Sequence, residues 1–254
     1  TLAIATDLDE AATGLWNTSN YSLTIEPEAN TSPTVTYKTS GSAVLAGGLV
    51  IGSSTLDNTS RVSKEAKNIT INGASGSDEQ RQMKFVGEGT SDHLYEGPVV
   101  LYGNTHHCTI ENAELLNNKS AGSAYAYSLL IRTEQNDRTG VQPHDIAVRN
   151  NHLESFKHAS SQSVNISGDY AISGTSVSEN SSPYNITLEK NEIVATTRGI
   201  FMDGAKDVVI DGNIFDIKQL GKTGYLSNGI YGYLTWGNIN IRNNRFYRLH
   251  TINT

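Results

Sequence analysis

One short segment recurs five times along this chain, and the recurrence restricts the fold more than any other feature. Cys108–Leu115, Ile146–Leu153, Ile186–Ile193, Val208–Phe215 and Ile239–Phe246 align without gaps, with an apolar residue or Cys108 at position one and apolar residues at positions three and eight. Position six is Asn151, Asn191, Asn213 or Asn244 in four copies and Ala113 in the first. Successive side chains of an extended strand point to opposite faces, so Ile239 and Ile241 share one side while Asn240 and Arg242 share the other. A single strand of this kind cannot bury its apolar side. Stacking the copies in parallel joins the apolar positions into continuous columns and pairs every strand except those at the ends.

The copies begin 38, 40, 22 and 31 residues apart. The shortest spacing sets the repeat unit, and the longer ones carry insertions at a fixed point, which is how a solenoid varies. Upstream of the copies lie shorter apolar runs, Val99–Tyr102, Leu129–Arg132, Tyr170–Ser173, Gly199–Asp203 and Gly229–Tyr233, read as a second strand of each unit. The Asn at position six marks the bend after the main strand. Stacked there, Asn amides can hydrogen-bond along the column and to the turn backbone.

Composition agrees with many short strands and turns: among 254 residues there are 23 Gly, only 5 Pro and 7% aromatics. No apolar run approaches the roughly 20 residues of a spanning helix, so no membrane span is expected. A leader, where one existed, is expected to have been removed. The net charge is −7 and the 19 Lys and Arg are scattered, which argues against a nucleic-acid partner. Cys108, the single cysteine, lies in a strand and is expected to be buried and inert.

With its repeats and the Asn-Asn pairs at 150–151 and 243–244, the stretch from Gly48 to Phe246 resembles the right-handed parallel β-helix proteins. That is the architecture of pectate lyases, polygalacturonases, tailspikes and many large bacterial surface proteins. The resemblance implies an all-β, right-handed parallel β-helix from a secreted or surface-displayed bacterial protein. Thr6-Asp7-Leu8-Asp9 resembles a capping box, and Leu8, Ala11, Ala12, Leu15 and Trp16 form an amphipathic stripe. A short N-terminal capping helix is therefore expected to cover the open end of the solenoid. Residues 1–47 are read as this cap with the first strands, Tyr21–Ile25 and Thr34–Tyr37, and residues 48–254 as one continuous domain of rungs. Only Tyr247–Thr254 follow the last repeat, so further domains or subunits are expected at that end.

Function in this architecture is expected on outward columns and long loops. On the main strand, Glu111, Arg149, Glu189, Asp211 and Arg242 share position four and read as a ladder of ion pairs between rungs. On the second strand, the outward places hold Tyr102, Arg132, Asp203, Tyr231 and Tyr233, an arrangement suited to stacking and hydrogen-bonding sugars. Long polar insertions at 117–127, 133–144, 155–168 and 173–184 are expected to wall this column or simply to decorate the solenoid.

Two catalytic readings compete with binding. A polysaccharide lyase would use Arg132, Arg198 or Lys206 as base or carboxylate clamp, with Asp203 and Asp207 as ligands of a Ca2+ cofactor. A glycoside hydrolase would use carboxylates such as Asp203, Asp207 and Asp211. The Asp-Asp and Gly-His-Gly motifs of the polygalacturonases and the Arg-x-Pro-x-x-Arg segment of the pectate lyases are missing. The expected function is thus a carbohydrate-binding or adhesive module whose partner is a polysaccharide or glycan surface, with a lyase as the alternative. The seven histidines, including the adjacent His106 and His107, are expected in turns or at the surface.

Overall fold

The computed structural model describes residues 1–10, 13–15, 17–39, 45–52, 65–76, 80–89, 95–119, 126–133, 141–155, 157, 161–168, 177–218 and 227–247. These form strands and one 3-10 turn at Glu179–Ser181, with no α-helix among them. None of their helical elements is long and apolar enough to cross a membrane.

The chain winds through three strands per rung. The first rung holds β1 (Leu2–Ile4), β2 (Leu8–Glu10) and β3 (Thr13–Leu15), and the second β4 (Leu23–Pro27), β5 (Thr34–Thr39) and β6 (Leu45–Gly52). There follow β7 (Ala66–Asn72), β8 (Lys84–Gly89), β9 (Tyr95–Tyr102), then β10 (Thr105–Glu111), β11 (Glu114–Asn117), β12 (Tyr127–Arg132). The fifth rung is β13 (His144–Arg149), β14 (His152–Ser155) and β15 (Gln162–Ser167). β16 (Tyr184–Glu189), β17 (Glu192–Ala195), β18 (Arg198–Asp211), β19 (Ile214–Ile217), β20 (Asn228–Arg242) and β21 (Arg245–Tyr247) complete the solenoid. β18 and β20 run through a corner, so each serves two faces.

All pairings are parallel, and three faces result. Face one stacks β1, β4, β7, β10, β13, β16 and the C-terminal halves of β18 and β20. Face two is the eight-stranded sheet β2-β5-β8-β11-β14-β17-β19-β21. Face three stacks β3, β6, β9, β12, β15 and the N-terminal halves of β18 and β20. This is a parallel β-helix.

The repeats fall in register. Cys108, Ile146, Ile186, Val208 and Ile239 make one column, Ile110, Val148, Leu188, Ile210 and Ile241 the next. Position eight makes a column on face two, Leu115, Leu153, Ile193, Phe215 and Phe246. Before these comes an unrecognised copy, Ile69–Asn72, which pairs Ile69 with Cys108 and Ile71 with Ile110. The columns merge into one core along the axis. Cys108 is buried in it, and burial pushes its thiol up to about 12.

At the bend after face one, residues 112, 150, 190, 212 and 243 take left-handed backbone, which explains Asn or Gly at four of these five places. The next residue forms the asparagine ladder. Asn151 donates from its backbone N–H and its amide to Asn191 Oδ1 (3.0 and 3.1 Å), Asn191 does the same to Asn213 (2.9 and 3.0 Å), and Asn213 to Asn244 (2.9 and 3.0 Å). Each amide also donates to a carbonyl on face one, those of Ile110, Val148, Leu188 and Ile210. The position-four column carries two ion pairs, Glu111–Arg149 at 2.6 Å and Asp211–Arg242 at 2.8 Å.

The N-terminal capping helix is not present. Leu8–Glu10 and Thr13–Leu15 are strands β2 and β3, while Ala11, Ala12 and Trp16 lie outside the described residues. Leu8, Asp9 and Glu10 pair with Val35, Thr36 and Tyr37, and Thr13–Leu15 with Leu49–Ile51. The physical reason is that an edge strand pairs along the whole sheet, whereas a helix of two turns interrupted by Thr13 and Gly14 would have been marginal. The stretch Tyr170–Ser173, read as a strand, also lies outside the described residues; its place on face three is taken by β15.

Candidate functional site

The outward side of face three carries two columns in register. One runs Val50, Val100, Leu130, Asn165, Phe201, Tyr231. The other runs Tyr102, Arg132, Ser167, Asp203, Tyr233. The expected column of Tyr102, Arg132, Asp203 and Tyr233 is therefore assembled, with Ser167 between Arg132 and Asp203. Asn165 and Ser167 were missed by sequence reasoning, although Val164 and Ile166 carry the inward alternation that marks their strand.

Exposure along the columns is uneven. Val50, Val100, Tyr102 and Leu130 form a hydrophobic cluster of their own on the outer side, so face three is packed on both sides there. Arg132 and Asp203 are buried, whereas Tyr231 and Tyr233 stand 38% and 52% exposed. The accessible part of the column is thus its last rung. There Arg198 lays its guanidinium over Phe201 at 4.3 Å and over Tyr231 at 4.7 Å, and the two rings contact each other at 5.5 Å. Cation–π contacts of this kind orient the guanidinium and leave its in-plane N–H groups pointing past the rings. Arg198 and Tyr231, assigned separately to clamp and ligand roles, belong to one patch.

Beyond Asp203 the chain turns the corner at Gly204, whose φ is 84°. A Cβ at Gly204 or Gly168 would meet Val177 Cγ1 at 2.3 Å, so these glycines let the segment from Val177 pack directly on the corner. That segment brings Glu179 to Lys206, with Nζ–Oε1 at 2.7 Å. Gln142, Glu179, Asn180, Tyr184 and Lys206 line an open cleft of about 330 Å³ beside it. The hydrogen bond and charge of Glu179 raise the pKa of Lys206, the wrong direction for a lysine base. Arg132 and Asp203 are two strands apart on face three, roughly 9.6 Å along the axis. Lys206 lies around the corner from both.

Asp207 has left-handed backbone and its Oδ1 accepts the N–H of Asn238 at 2.8 Å, capping the turn of the next rung. Asp203 and Asp207 thus serve opposite sides of one corner. No group of three His, Cys, Asp or Glu among the described residues is placed to hold a metal ion.

The histidines are better organised than turns require. His106, His144 and Tyr184 each stand two residues before a repeat and stack, with centroids 4.8 and 4.7 Å apart, and Lys206 and Trp236 continue the column. His107 occupies a left-handed turn with Nδ1 2.7 Å from Nδ1 of His106, and Asp145 lies 2.8 Å from His144 Nδ1. Burial, with the neighbouring His144 and His107, holds His106 below the usual imidazole range despite Glu65 at 3.2 Å. His93, His158 and His250 lie outside the described residues.

On face two, His152 sits between Glu154 (2.9 Å) and Glu192 (3.1 Å), and Arg81 also reaches Glu192 at 3.1 Å. Burial opposes the charged imidazole, but the two carboxylates outweigh it and raise its pKa, while the His152 contact lowers that of Glu154. A raised folded-state pKa stabilises fully below the ordinary imidazole value and ceases to do so as pH rises through the raised one. His152→Gln is therefore expected to lose most stability at mildly acidic pH and progressively less toward alkaline pH. Urea denaturation across that range checks this, and a difference independent of pH would contradict it.

No protein-family model and no curated protein matches this sequence. Among solved structures, PfbA, a surface adhesin of Streptococcus pneumoniae, superposes with a TM-score of 0.51 at 15% identity. The match covers 94% of this chain and 63% of that one, so the chain spans less than two thirds of the adhesin. At this identity the likeness is one of fold: the chain shares a parallel β-helix architecture with a bacterial surface adhesin.

Proposed function

We propose that this chain is a carbohydrate-binding module of a secreted or surface-displayed bacterial protein, adhering to a polysaccharide or glycan surface. The observation that carries the reading is the aromatic patch of the last rungs: exposed Tyr231 and Tyr233 beside Phe201, with Arg198 held over two of the rings. A pyranose offers an apolar C–H face and a rim of hydroxyls. An aromatic face edged by fixed donors matches both. The fold likeness to a surface adhesin accords with this reading. Binding is preferred to cleavage because Arg132 and Asp203 are buried and Lys206 is paired with Glu179.

Retention of the chain on immobilised acidic and neutral polysaccharides, with and without Ca2+, tests the proposal. At least one saccharide is expected to retain it without being shortened. Tyr231→Ala combined with Tyr233→Ala is expected to weaken retention about tenfold or more, since each stacked ring contributes ~0.5–1.5 kcal/mol beyond its buried area. Failure to bind any member of the panel contradicts the module. Release of unsaturated or reducing ends would instead establish a lyase or a hydrolase.

A further inference from the structure

The middle rungs of face one carry a cluster of histidines that neither the asparagine ladder nor the aromatic patch uses. The place two residues before each repeat holds Lys67, His106, His144, Tyr184 and Lys206 in register. The next place holds Asn68, His107, Asp145, Asn185 and Asp207, each with left-handed backbone. Adjacent residues of a flat strand point to opposite faces, but a bulge re-aims one of them. Here His106 and His107 both turn outward between the buried Thr105 and Cys108, and so they meet. Four of the five left-handed places hold Asn or Asp, whose short polar side chains suit such backbone. His107 is the exception.

Both ring nitrogens of His106 are engaged. Its Nε2 lies 3.2 Å from Oε1 of Glu65, a carboxylate that also holds Lys67 at 3.1 Å, so this nitrogen carries a hydrogen. Its Nδ1 lies 2.7 Å from Nδ1 of His107. A hydrogen bond between two nitrogens needs one N–H and one lone pair, whereas a cationic imidazole has only N–H groups. At most one of these two rings can therefore be charged while they touch. Charge on His107 is met by Asp145 Oδ2, 3.7 Å from its Nε2. The same oxygen lies 2.8 Å from His144 Nδ1, and Asn185 donates to the other oxygen of Asp145. Charge on His106 faces His144, stacked on it at 4.8 Å with the ring planes 2° apart. Burial and these two histidine neighbours hold His106 below the usual imidazole range. The unfolded chain thus takes up a proton there before the folded chain does, so stability at this site is complete above the ordinary imidazole value and declines as pH falls below it. His152 on face two has the opposite sign and gains in acid.

We propose that His106 and His107 form a pH-sensitive latch on face one: they stay joined while the pair holds at most one extra proton, and uptake of a second in acid parts them and releases His107 toward solvent. His107 is the ring able to leave, since its side chain is 58% exposed against 14% for His106. The cluster spans three rungs, from Glu65 and Lys67 beside β7 to His144 and Asp145 on β13. Its stack continues to Tyr184, a wall of the cleft beside Lys206, so opening the latch gives this surface an arrangement in acid that it lacks at neutral pH.

Imidazole resonances of the isotope-labelled chain, followed by NMR from about pH 8 to about pH 4, test the proposal. His106 and His107 are expected to titrate as a coupled pair, in two steps at least about one pH unit apart. The second step is expected to move the backbone amides of both residues and the ring resonances of Tyr184. His107→Asn puts at this place the residue that positions 68 and 185 already hold, so the left-handed backbone is kept. In that variant His106 is expected to titrate in a single step, at a higher pH than the second step of the parent chain. Independent single-step titration of the two rings in the parent chain overturns the latch. So does a second step that leaves the β10 amides unmoved, or a His106 titration that His107→Asn does not change.

Discussion

Replacing Asn191 by Ala is expected to destabilise the protein by about 3–5 kcal/mol, because each buried polar group left without a partner costs about 1–3 kcal/mol. Asn191 Oδ1 accepts from both the backbone and the amide of Asn151, and its own amide donates to Val148 O and Asn213 Oδ1. The site is closed to water, so no solvent molecule replaces the lost contacts without rearrangement. Among the described residues Asn244, half-buried and last in the ladder, accepts only from Asn213 and donates to Ile210 O. Its alanine variant is expected to lose less than half as much. Urea unfolding followed by circular dichroism measures both. Equal losses at the two positions, or a loss under about 1 kcal/mol at Asn191, would show that the ladder does not hold the rungs together.

The second large effect concerns Phe215. Its ring is fully buried in the position-eight column and stacks on Phe246 at 4.7 Å. Phe215→Ala is expected to lose about 3–5 kcal/mol through lost transfer free energy and a cavity. The ring has a matched gap on face three: a Cβ at Gly199 would lie 2.6 Å from Phe215 Cδ1 and 2.5 Å from the Gly229 carbonyl. Gly229 stands in the same relation to Phe246, and Gly48 to Tyr37. Gly199→Ala is thus expected to be destabilising alone and partly relieved when Phe215 is already Ala. A double-mutant cycle by urea unfolding reads that coupling, and strict additivity would mean that the glycine is needed only for its own backbone.

Much of this architecture was legible in the chain because a rung repeats the same physical problem. Ile146, Ile186 and Ile239 had to face inward, and Asn151, Asn191 and Asn213 had to follow a left-handed turn, so local pattern and stacked position coincide. The first rungs lack that redundancy. The spacing of Leu8 and Leu15 suits one face of a helix as well as it suits two separate strands, and only pairing with Val35 and Ile51 decides. The column Tyr102, Arg132, Asp203, Tyr233 was readable from the distance of each strand to its repeat. Burial of Tyr102, Arg132 and Asp203 was not, since what packs on the outside of a rung does not follow the rung's period. The stack of His106, His144 and Tyr184 did carry a signal, a shared place two residues before each repeat, which ordinary motif spacing does not look for.

The account rests most on the aromatic patch being where saccharide binds. Its most direct test is to titrate a saccharide retained by the chain into isotope-labelled protein and map the backbone amide shifts. Shifts centred on Phe201, Tyr231 and Tyr233, and lost with Arg198→Ala, are the predicted result. A map centred elsewhere, for instance on the cleft beside Tyr184 and Lys206, or one unaffected by that substitution, would contradict it.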